Sequence, residues 1–351
     1  MKAAVLGASG YGGQAAMRLL LGHPEVSRVL PVSSSAAGKG IRERDAGLGP
    51  DTEGKLADGG RLLSREEVLA EAPDAVFAAL PHGASAEFCE PFFGKAVVFD
   101  LSADFRLSDP GVHEKAYGAA APYPSLRGDA VYGLAEIYEE EIRKADIIAV
   151  PGCFPTGALL PLIPVAREGL ANAVITVNAV TGLSGAGRSA KEAMLFVERS
   201  ENAVAYNPGM RHRHQPEMLQ EVRAAGGGGS LFFTPHMVPM RRGIASTITI
   251  PVDGAPETVA DRVGRALEEA YGGRPFVALR GNEIPATRDV VGSNRCDIGW
   301  TVESDGEGST QLYLFSVLDN LLKGASGQAV QDFNIRFGFD AAAGLPLRGD
   351  V

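Results

Sequence analysis

Lys2-Ala3-Ala4-Val5-Leu6-Gly7-Ala8-Ser9-Gly10-Tyr11-Gly12-Gly13 opens the chain and decides how its first half folds. Lys2–Leu6 is an apolar run of strand length, and Gly13–Leu21 continues as an apolar helix. Between them Gly7, Gly10 and Gly13 have the spacing of a tight turn, a close backbone approach to pyrophosphate and a close helix–strand contact. An ordinary tight turn is the plain alternative. Placement after an N-terminal strand and before an apolar helix favours a dinucleotide site.

Working outward, Arg28–Val32 reads as a second strand that runs into Ser33-Ser34-Ser35. A carboxylate there would hold a ribose 2′-hydroxyl and repel a 2′-phosphate. Hydroxyls with nearby Lys39 would accept the phosphate, so NADP(H) is expected rather than NAD(H). Ala75–Ala79 and Ala96–Leu101 are further short strands, ended by Pro81-His82-Gly83 and Ser102-Ala103-Asp104. Alternation of such strands with helical stretches to about residue 150 implies a parallel sheet covered on both faces, with ligands at its carboxyl ends. His82 then lies beside the cofactor or packs in its loop, and Asp104 pairs with Arg106 as loop scaffolding.

A second informative stretch is Pro151-Gly152-Cys153-Phe154-Pro155-Thr156. Asp146–Val150 reads as a buried strand, Pro155 suits the first turn of a helix, and the sequence through Val165 continues it. A thiol at a helix start faces unpaired N–H groups and the positive end of the helix dipole. Both favour the thiolate, which is the nucleophile. Cys89 and Cys296, far apart and without a CxxC pair, are expected to be buried structural thiols, so neither a metal site nor a disulfide scaffold is indicated.

Such a cysteine needs a proton carrier. Among six histidines, His23 and His113 lie in polar contexts and are expected at the surface, and His236 follows a strand. The densest candidate is His212-Arg213-His214-Gln215-Pro216-Glu217. An extended segment sends His212 and His214 to one side, and Pro216 starts a helix with Glu217 in its first turn. A solvated basic loop is the alternative; His214 is preferred over His212 as acid/base. Gly182-Leu183-Ser184-Gly185-Ala186-Gly187-Arg188 is a second glycine-rich turn, expected to enter a helix over Ser189–Arg199 and to hold an anion on its N–H groups and Arg188. Arg241 and Arg242 reach the substrate or face solvent.

Beyond Cys153, Ile175–Leu183, Leu231–Met240, Ile244–Val252, Phe276–Arg280, Cys296–Glu303 and Gln311–Leu318 read as strands, several without an intervening helix, as in a mostly antiparallel sheet. Helices are expected over Pro216–Ala225, Pro256–Tyr271 and Leu321–Asn334, the last returning to the first domain. The chain of 351 residues is long for one core and divides as 1–149 plus 321–351, and 150–320. A formal net charge of -10 argues against nucleic acid or an anionic membrane as main partner. Ile147–Ala166 is uncharged and long enough to span a bilayer, but its prolines argue against a spanning helix. Met1-Lys2 leads straight into a strand, and a cytoplasmic protein is expected.

Taken in order, these motifs, with Leu80-Pro81-His82-Gly83, Asp100-Leu101-Ser102-Ala103-Asp104-Phe105-Arg106 and Asp319-Asn320-Leu321-Leu322-Lys323-Gly324-Ala325, resemble the N-acetyl-γ-glutamyl-phosphate reductases of arginine biosynthesis. The resemblance runs from residue 1 to about 335. It implies an α/β Rossmann-type NADP domain and an α+β catalytic domain like that of glyceraldehyde-3-phosphate and aspartate-semialdehyde dehydrogenases. It implies Cys153 as nucleophile, the His212/His214 segment as acid/base with Glu217 orienting it, and Ser184, Gly185 and Arg188 at the substrate. It implies Gly10, Tyr11 and Gly12 on the cofactor pyrophosphate and Asn320 and Gly324 near the nicotinamide; Gly7, Ser9, Ser33, Ser35 and His82 are expected as further cofactor contacts from the residues themselves. Many relatives carry arginine where this chain has Ser35. The substrate implied is a small acyl phosphate, with phosphate as co-product, in a homo-oligomer (dimer or tetramer). Rival readings are a reductase of carrier-linked aminoadipyl phosphate, whose members tend to replace the pattern around the thiol that is intact here, and aspartate-semialdehyde dehydrogenase. An NADP-binding regulator without catalysis and a cysteine hydrolase leave either the thiol and histidines or the glycine turn without use.

Overall fold

A computed structural model describes residues 1–49, 52 and 54–350. The chain forms two compact units, Met1–Pro151 with Ala325–Leu345, and Gly152–Gly324 with the residues from Pro346 onward. The tail from Pro346 therefore belongs with the second unit, not with the first as the sequence reading had it. Asn294 donates to the Pro346 carbonyl, and Asp350 to that of Val291.

The first unit runs β1 (Lys2–Leu6), α1 (Tyr11–Gly22), β2 (Arg28–Val32), α2 (Arg65–Ala70), β3 (Ala75–Ala78), α3 (Ser85–Cys89), β4 (Val97–Asp100), α4 (Pro110–Tyr117), β5 (Ala130–Tyr132), α5 (Glu139–Ile142) and β6 (Ile147–Ala149). Its six strands are all parallel, in the order β2-β1-β3-β4-β6-β5. The strand order reverses between β1 and β3, which is where open α/β sheets take ligands. β1, β3 and β4 show no polar alternation because both faces of the sheet are covered. A closing helix, Gly327–Phe337, completes the layer: Phe333 lies 5.7 Å from Phe77 and 6.0 Å from Phe99 between ring centroids.

The second unit runs α6 (Cys153–Arg167), β7 (Ile175–Thr181), α7 (Phe196–Arg199), β8 (Val204–Ala205), α8 (His214–Ala224), β9 (Leu231–Met237), β10 (Ile244–Val252), α9 (Pro256–Tyr271), β11 (Val277–Leu279), β12 (Cys296–Ser304) and β13 (Thr310–Leu318). The sheet order is β11-β12-β13-β10-β7-β9-β8. Pairing is antiparallel except between β11 and β12 and between β7 and β9. α6 packs against α8 and α9, and all three lie on this sheet. The strands alternate buried with half-buried or exposed residues, as a sheet with one uncovered face does.

α6 is buried from Phe154 to Ala166 and contains Pro161 and Pro164. Each proline lacks the N–H that would reach the carbonyl four residues back, which leaves Gly157 and Leu160 without helical donors. Ser316 donates its hydroxyl to the Gly157 carbonyl at 2.6 Å, and Tyr271 donates to that of Leu160 at 2.6 Å. Two hydroxyls from β13 and α9 thus allow the helix to continue unbroken through both prolines. Among the described residues no helix is long and apolar enough to cross a membrane.

Candidate active site

Cys153 is the first residue of α6, partly exposed, with Gly152 as the uncapped N-cap. Three neighbours crowd this turn. Glu217, fully buried in the first turn of α8, accepts the Gly152 N–H at 2.8 Å. The His214 ring presses on the same glycine: a Cβ there would stand 2.5 Å from Nε2. From the other side Gly324 packs so tightly that its own Cβ would come within 2.8 Å of the Cys153 Cβ.

The two histidines are separated by their surroundings. α8 begins at His214, two residues before the proline that was expected to start it. The His212 and His214 rings lie 4.8 Å apart, although Arg213 between them is helical (φ -55°, ψ -21°) and not extended as the spacing was read. His214 reaches the cysteine turn, whereas His212 lies against Phe233 and Phe154 and its Nδ1 accepts the His214 backbone N–H at 3.2 Å. Burial, and secondarily Arg213, pushes the His212 imidazole down to about 4, so it is neutral at neutral pH. Tyr206, 5.7 Å from the His212 ring, was not singled out in the sequence; burial first and Cys153 second push its phenol up.

The second glycine turn differs from expectation. Four of its N–H groups have main-chain acceptors: Leu183 donates to Met240, Ser184 to Arg241, Gly185 to Gly182 and Gly187 to Ser184. Those four are therefore not turned to an anion as the sequence reading expected. Nor does it enter a long helix over Ser189–Arg199; that stretch holds a short 3-10 turn, Glu192–Met194, and the four-residue α7. Arg188 is exposed beside the turn, and Gly185 is exposed within it. Asn320, buried at the end of β13, donates to the Ser184 hydroxyl at 3.0 Å and accepts the Gly243 N–H at 2.8 Å. Arg242 pairs with buried Asp319, and Arg241 is exposed.

In the first unit Gly7 takes φ +75°, and a Cβ on it would lie 2.3 Å from the Ala79 carbonyl oxygen, so no other residue fits. Gly10 is the N-cap of α1, without a side-chain cap and without acid in the first turn. Its open N-terminus, bounded by Ser9, Tyr11 and Gly12, fits a pyrophosphate at the strand-order reversal. Ser33 is buried with its N–H on the Leu63 carbonyl; Ser34, Ser35 and Lys39 are exposed. His82 is exposed, 5.4 Å from the Tyr117 ring. Asp104 accepts the N–H groups of Gly83 and Ala86 at the start of α3, and Arg106 donates to the carbonyls of Val150 and Leu101. Both residues brace main chain. His23 and His113 are buried, against expectation: His23 bonds Asn334 on the closing helix and His113 lies 4.6 Å from the Tyr117 ring. Cys89 and Cys296 are buried. Among the described residues no group of three or more metal-ligating side chains is assembled.

Comparison with known proteins bears on all of these residues together. Residues 2–145 match the family model described as the semialdehyde dehydrogenase NAD binding domain, and 153–320 the semialdehyde dehydrogenase dimerisation domain. N-acetyl-γ-glutamyl-phosphate reductases of Akkermansia muciniphila and Geobacter metallireducens are each 42% identical over 98% of this chain and 98% of their own. That of Methanopyrus kandleri is 40% identical over the same shares. The chain belongs to the N-acetyl-γ-glutamyl-phosphate reductase family. Among solved structures it is similar to aspartate semialdehyde dehydrogenase II of Vibrio cholerae, with TM-score 0.71 at 20% identity over 96% of this chain and 98% of that one. The NADP-bound aspartate semialdehyde dehydrogenase of Candida albicans gives 0.66 at 17%, over 95% and 97%. These likenesses show the fold.

In this member of the N-acetyl-γ-glutamyl-phosphate reductase family, the second unit assembles Cys153, His214, Glu217 and Gly324 at one turn, with His212 behind them. Ser184, Asn320 and Arg242 form an adjoining layer. Sequence reading missed Tyr206, which sits in a loop with no motif of its own, and gave no role to Asp319, although it lies inside a quoted motif.

Proposed function

We propose that this protein reduces N-acetyl-γ-glutamyl phosphate to N-acetylglutamate 5-semialdehyde and phosphate, with NADPH, in arginine biosynthesis. The observation that carries the reading is the turn at Gly152-Cys153, pressed by the His214 ring and held by the Glu217 carboxylate. Cys153, at the positive end of α6, attacks the γ-acyl carbon as thiolate; phosphate departs and a thioester remains. N–H groups of the first turn of α6 face the oxygen that gains charge. Hydride, which bound NADPH would supply, adds to the thioester carbon, and the carbon–sulfur bond then breaks to give the aldehyde and free the Cys153 thiolate. His214 carries the proton on the reacting oxygen, Glu217 fixes the turn on which both groups meet, and His212, kept neutral, aligns the start of α8. Arg188 and Ser184 meet the substrate's anionic end. The N-terminus of α1 holds the pyrophosphate, and Ser35 with Lys39 the 2′-phosphate.

The same reading includes a homo-oligomer of cytoplasmic location. Its support is the uncovered face of the second sheet, where Phe315, Thr247, Asn178 and Thr234 line up across β13, β10, β7 and β9, and Tyr313, Thr249, Thr176 and Phe232 form the next row. None of these side chains carries a charge. A chain of net charge -10 meets its own copy at least cost on such a face.

Phosphate-dependent reduction of NADP⁺ tests the activity, with N-acetylglutamate semialdehyde compared against aspartate semialdehyde. Preference for the former is expected. Preference for aspartate semialdehyde overturns the substrate.

A further inference from the structure

We propose that Asp319, together with Arg242, is a positioning residue for Cys153: its buried carboxylate fixes the main-chain turn whose carbonyl holds the glycine that backs the thiol, and through Arg242 it braces the loop that carries Ser184. The inference rests on Cys153 being the nucleophile.

Asp319 is fully buried, and a carboxylate there needs compensation from every side. Arg242 donates its Nε–H to Oδ1 at 3.2 Å, and its Nη2 stands 2.7 Å from Oδ2 as an ion pair without hydrogen-bond geometry. The Gly292 N–H reaches Oδ2 at 2.8 Å, and Leu321 and Leu322 donate to Oδ1 at 2.9 and 3.2 Å. These donors come from three separate stretches of chain, so the carboxylate is a junction.

Each arm of the junction ends at the site. The Asp319 carbonyl accepts the Gly324 N–H at 2.9 Å, which sets the height of Gly324 against Cys153. Contact there is already at its limit, since a methyl on Gly324 would overlap the Cys153 Cβ at 2.8 Å and its Cα at 3.2 Å. On the other arm, the Arg242 backbone crowds Gly182, leaving 2.7 Å from its nitrogen to a Cβ placed on that glycine. The Gly182–Ser184 run is zipped to residues 240–243 by Gly182 to Gly243, Leu183 to Met240 and Ser184 to Arg241. Between the arms, Asn320 joins Ser184 to Gly243. Loss of the Asp319 charge therefore loosens the wall behind the thiol and the Ser184 layer together. Misplacement of about 1 Å at such a site costs roughly a hundredfold in rate.

The test compares Asp319→Asn with Asp297→Asn. Asp297 is also fully buried and paired with two arginines, Arg280 and Arg295, but none of its hydrogen bonds reaches the cysteine turn. Two quantities are read on folded protein: kcat and KM for the reductase reaction, and the pH profile of Cys153 alkylation by iodoacetamide without substrate. Asp319→Asn is expected to lower kcat by about ten- to a hundredfold with little change in KM, and to move the alkylation profile by about one pH unit. Asp297→Asn is expected to lower the melting temperature and leave the alkylation profile in place. Should Asp319→Asn fail to fold, Arg242→Lys, which keeps the charge and loses the Nε hydrogen bond, is expected to show the same displacement in smaller measure. Equal alkylation profiles for Asp319→Asn, or Arg242→Lys in its place, and the parent overturn the proposal. The nucleophile reading is judged separately, by the loss of reductase activity in Cys153→Ser.

Discussion

Gly152→Ala is the most direct test of the contact between the histidine and the cysteine turn. Gly152 has φ -65° and ψ 151°, a conformation open to alanine, so the substitution adds no backbone strain. Its methyl would stand 2.5 Å from His214 Nε2 and 2.9 Å from Cδ2 and Cε1. The ring must retreat by about 1 Å to reach an ordinary contact of about 3.5 Å. It is 5% exposed, with the His212 ring at 4.8 Å and the Phe154 ring at 5.9 Å, so retreat means an off-rotamer imidazole or a shifted α8. An off-rotamer ring costs about 1 kcal/mol of stability, a fall in Tm of a few degrees. The same 1 Å at the reacting groups is worth roughly a hundredfold in kcat, or about 2.7 kcal/mol of barrier. Activity should therefore fall far more than stability. The assay is steady-state NADPH oxidation beside thermal unfolding of the same preparation. A variant that folds normally and keeps kcat within about threefold of the parent would refute the role given to His214.

Tyr271→Phe removes one hydroxyl at nearly constant volume and leaves the Leu160 carbonyl opposite Pro164 without a donor; urea unfolding should show a loss of about 1–3 kcal/mol, and no loss would refute the pairing. His212 titrates near 6.5 when unfolded and is pushed down to about 4 when folded, so the unfolded state binds the extra proton as pH falls between these values. That imidazole alone removes about 3 kcal/mol of stability by pH 4, and His212→Asn, which keeps an acceptor for the His214 N–H, should lose less over this window; parallel pH profiles would exclude it. Ser35→Asp puts a carboxylate at an exposed position after β2 and should lower kcat/KM for NADPH by about tenfold or more while sparing NADH; an unchanged ratio would move the 2′-phosphate elsewhere. Phe232→Asp, at a side chain 54% exposed on the uncovered sheet face, should shift the protein towards monomer in sedimentation velocity; an unchanged oligomer would remove that face from the interface.

Local pattern was sufficient wherever the signal is carried by neighbours in sequence. A five-residue apolar strand, glycines at 7, 10 and 13, and a cysteine ahead of Pro155 are all statements about a few adjacent residues, and each element formed where the pattern located it. The expectations that differed concern whether a polar group finds a distant partner. His23 reads as a loop residue until the closing helix brings Asn334, more than three hundred positions away, to its Nε2. The N–H groups of Leu183 and Ser184 look available until residues 240–243 lie against them and take both. The prolines of α6 look like breaks until Ser316 and Tyr271 supply the donors they lack.

The amino-acid sequence by itself determined the class of fold, the glycine turn after the first strand, the cysteine at a helix start and the family, because glycine conformations, helix starts and apolar periodicity are short-range physics. Only the tertiary structure decided which histidine meets the cysteine turn, that His212 is held neutral behind it, and that Asp319 joins two sides of the site. Those outcomes depend on burial and on hydrogen-bond partners brought from distant segments, and desolvation exists only once the chain has closed around the group it acts on.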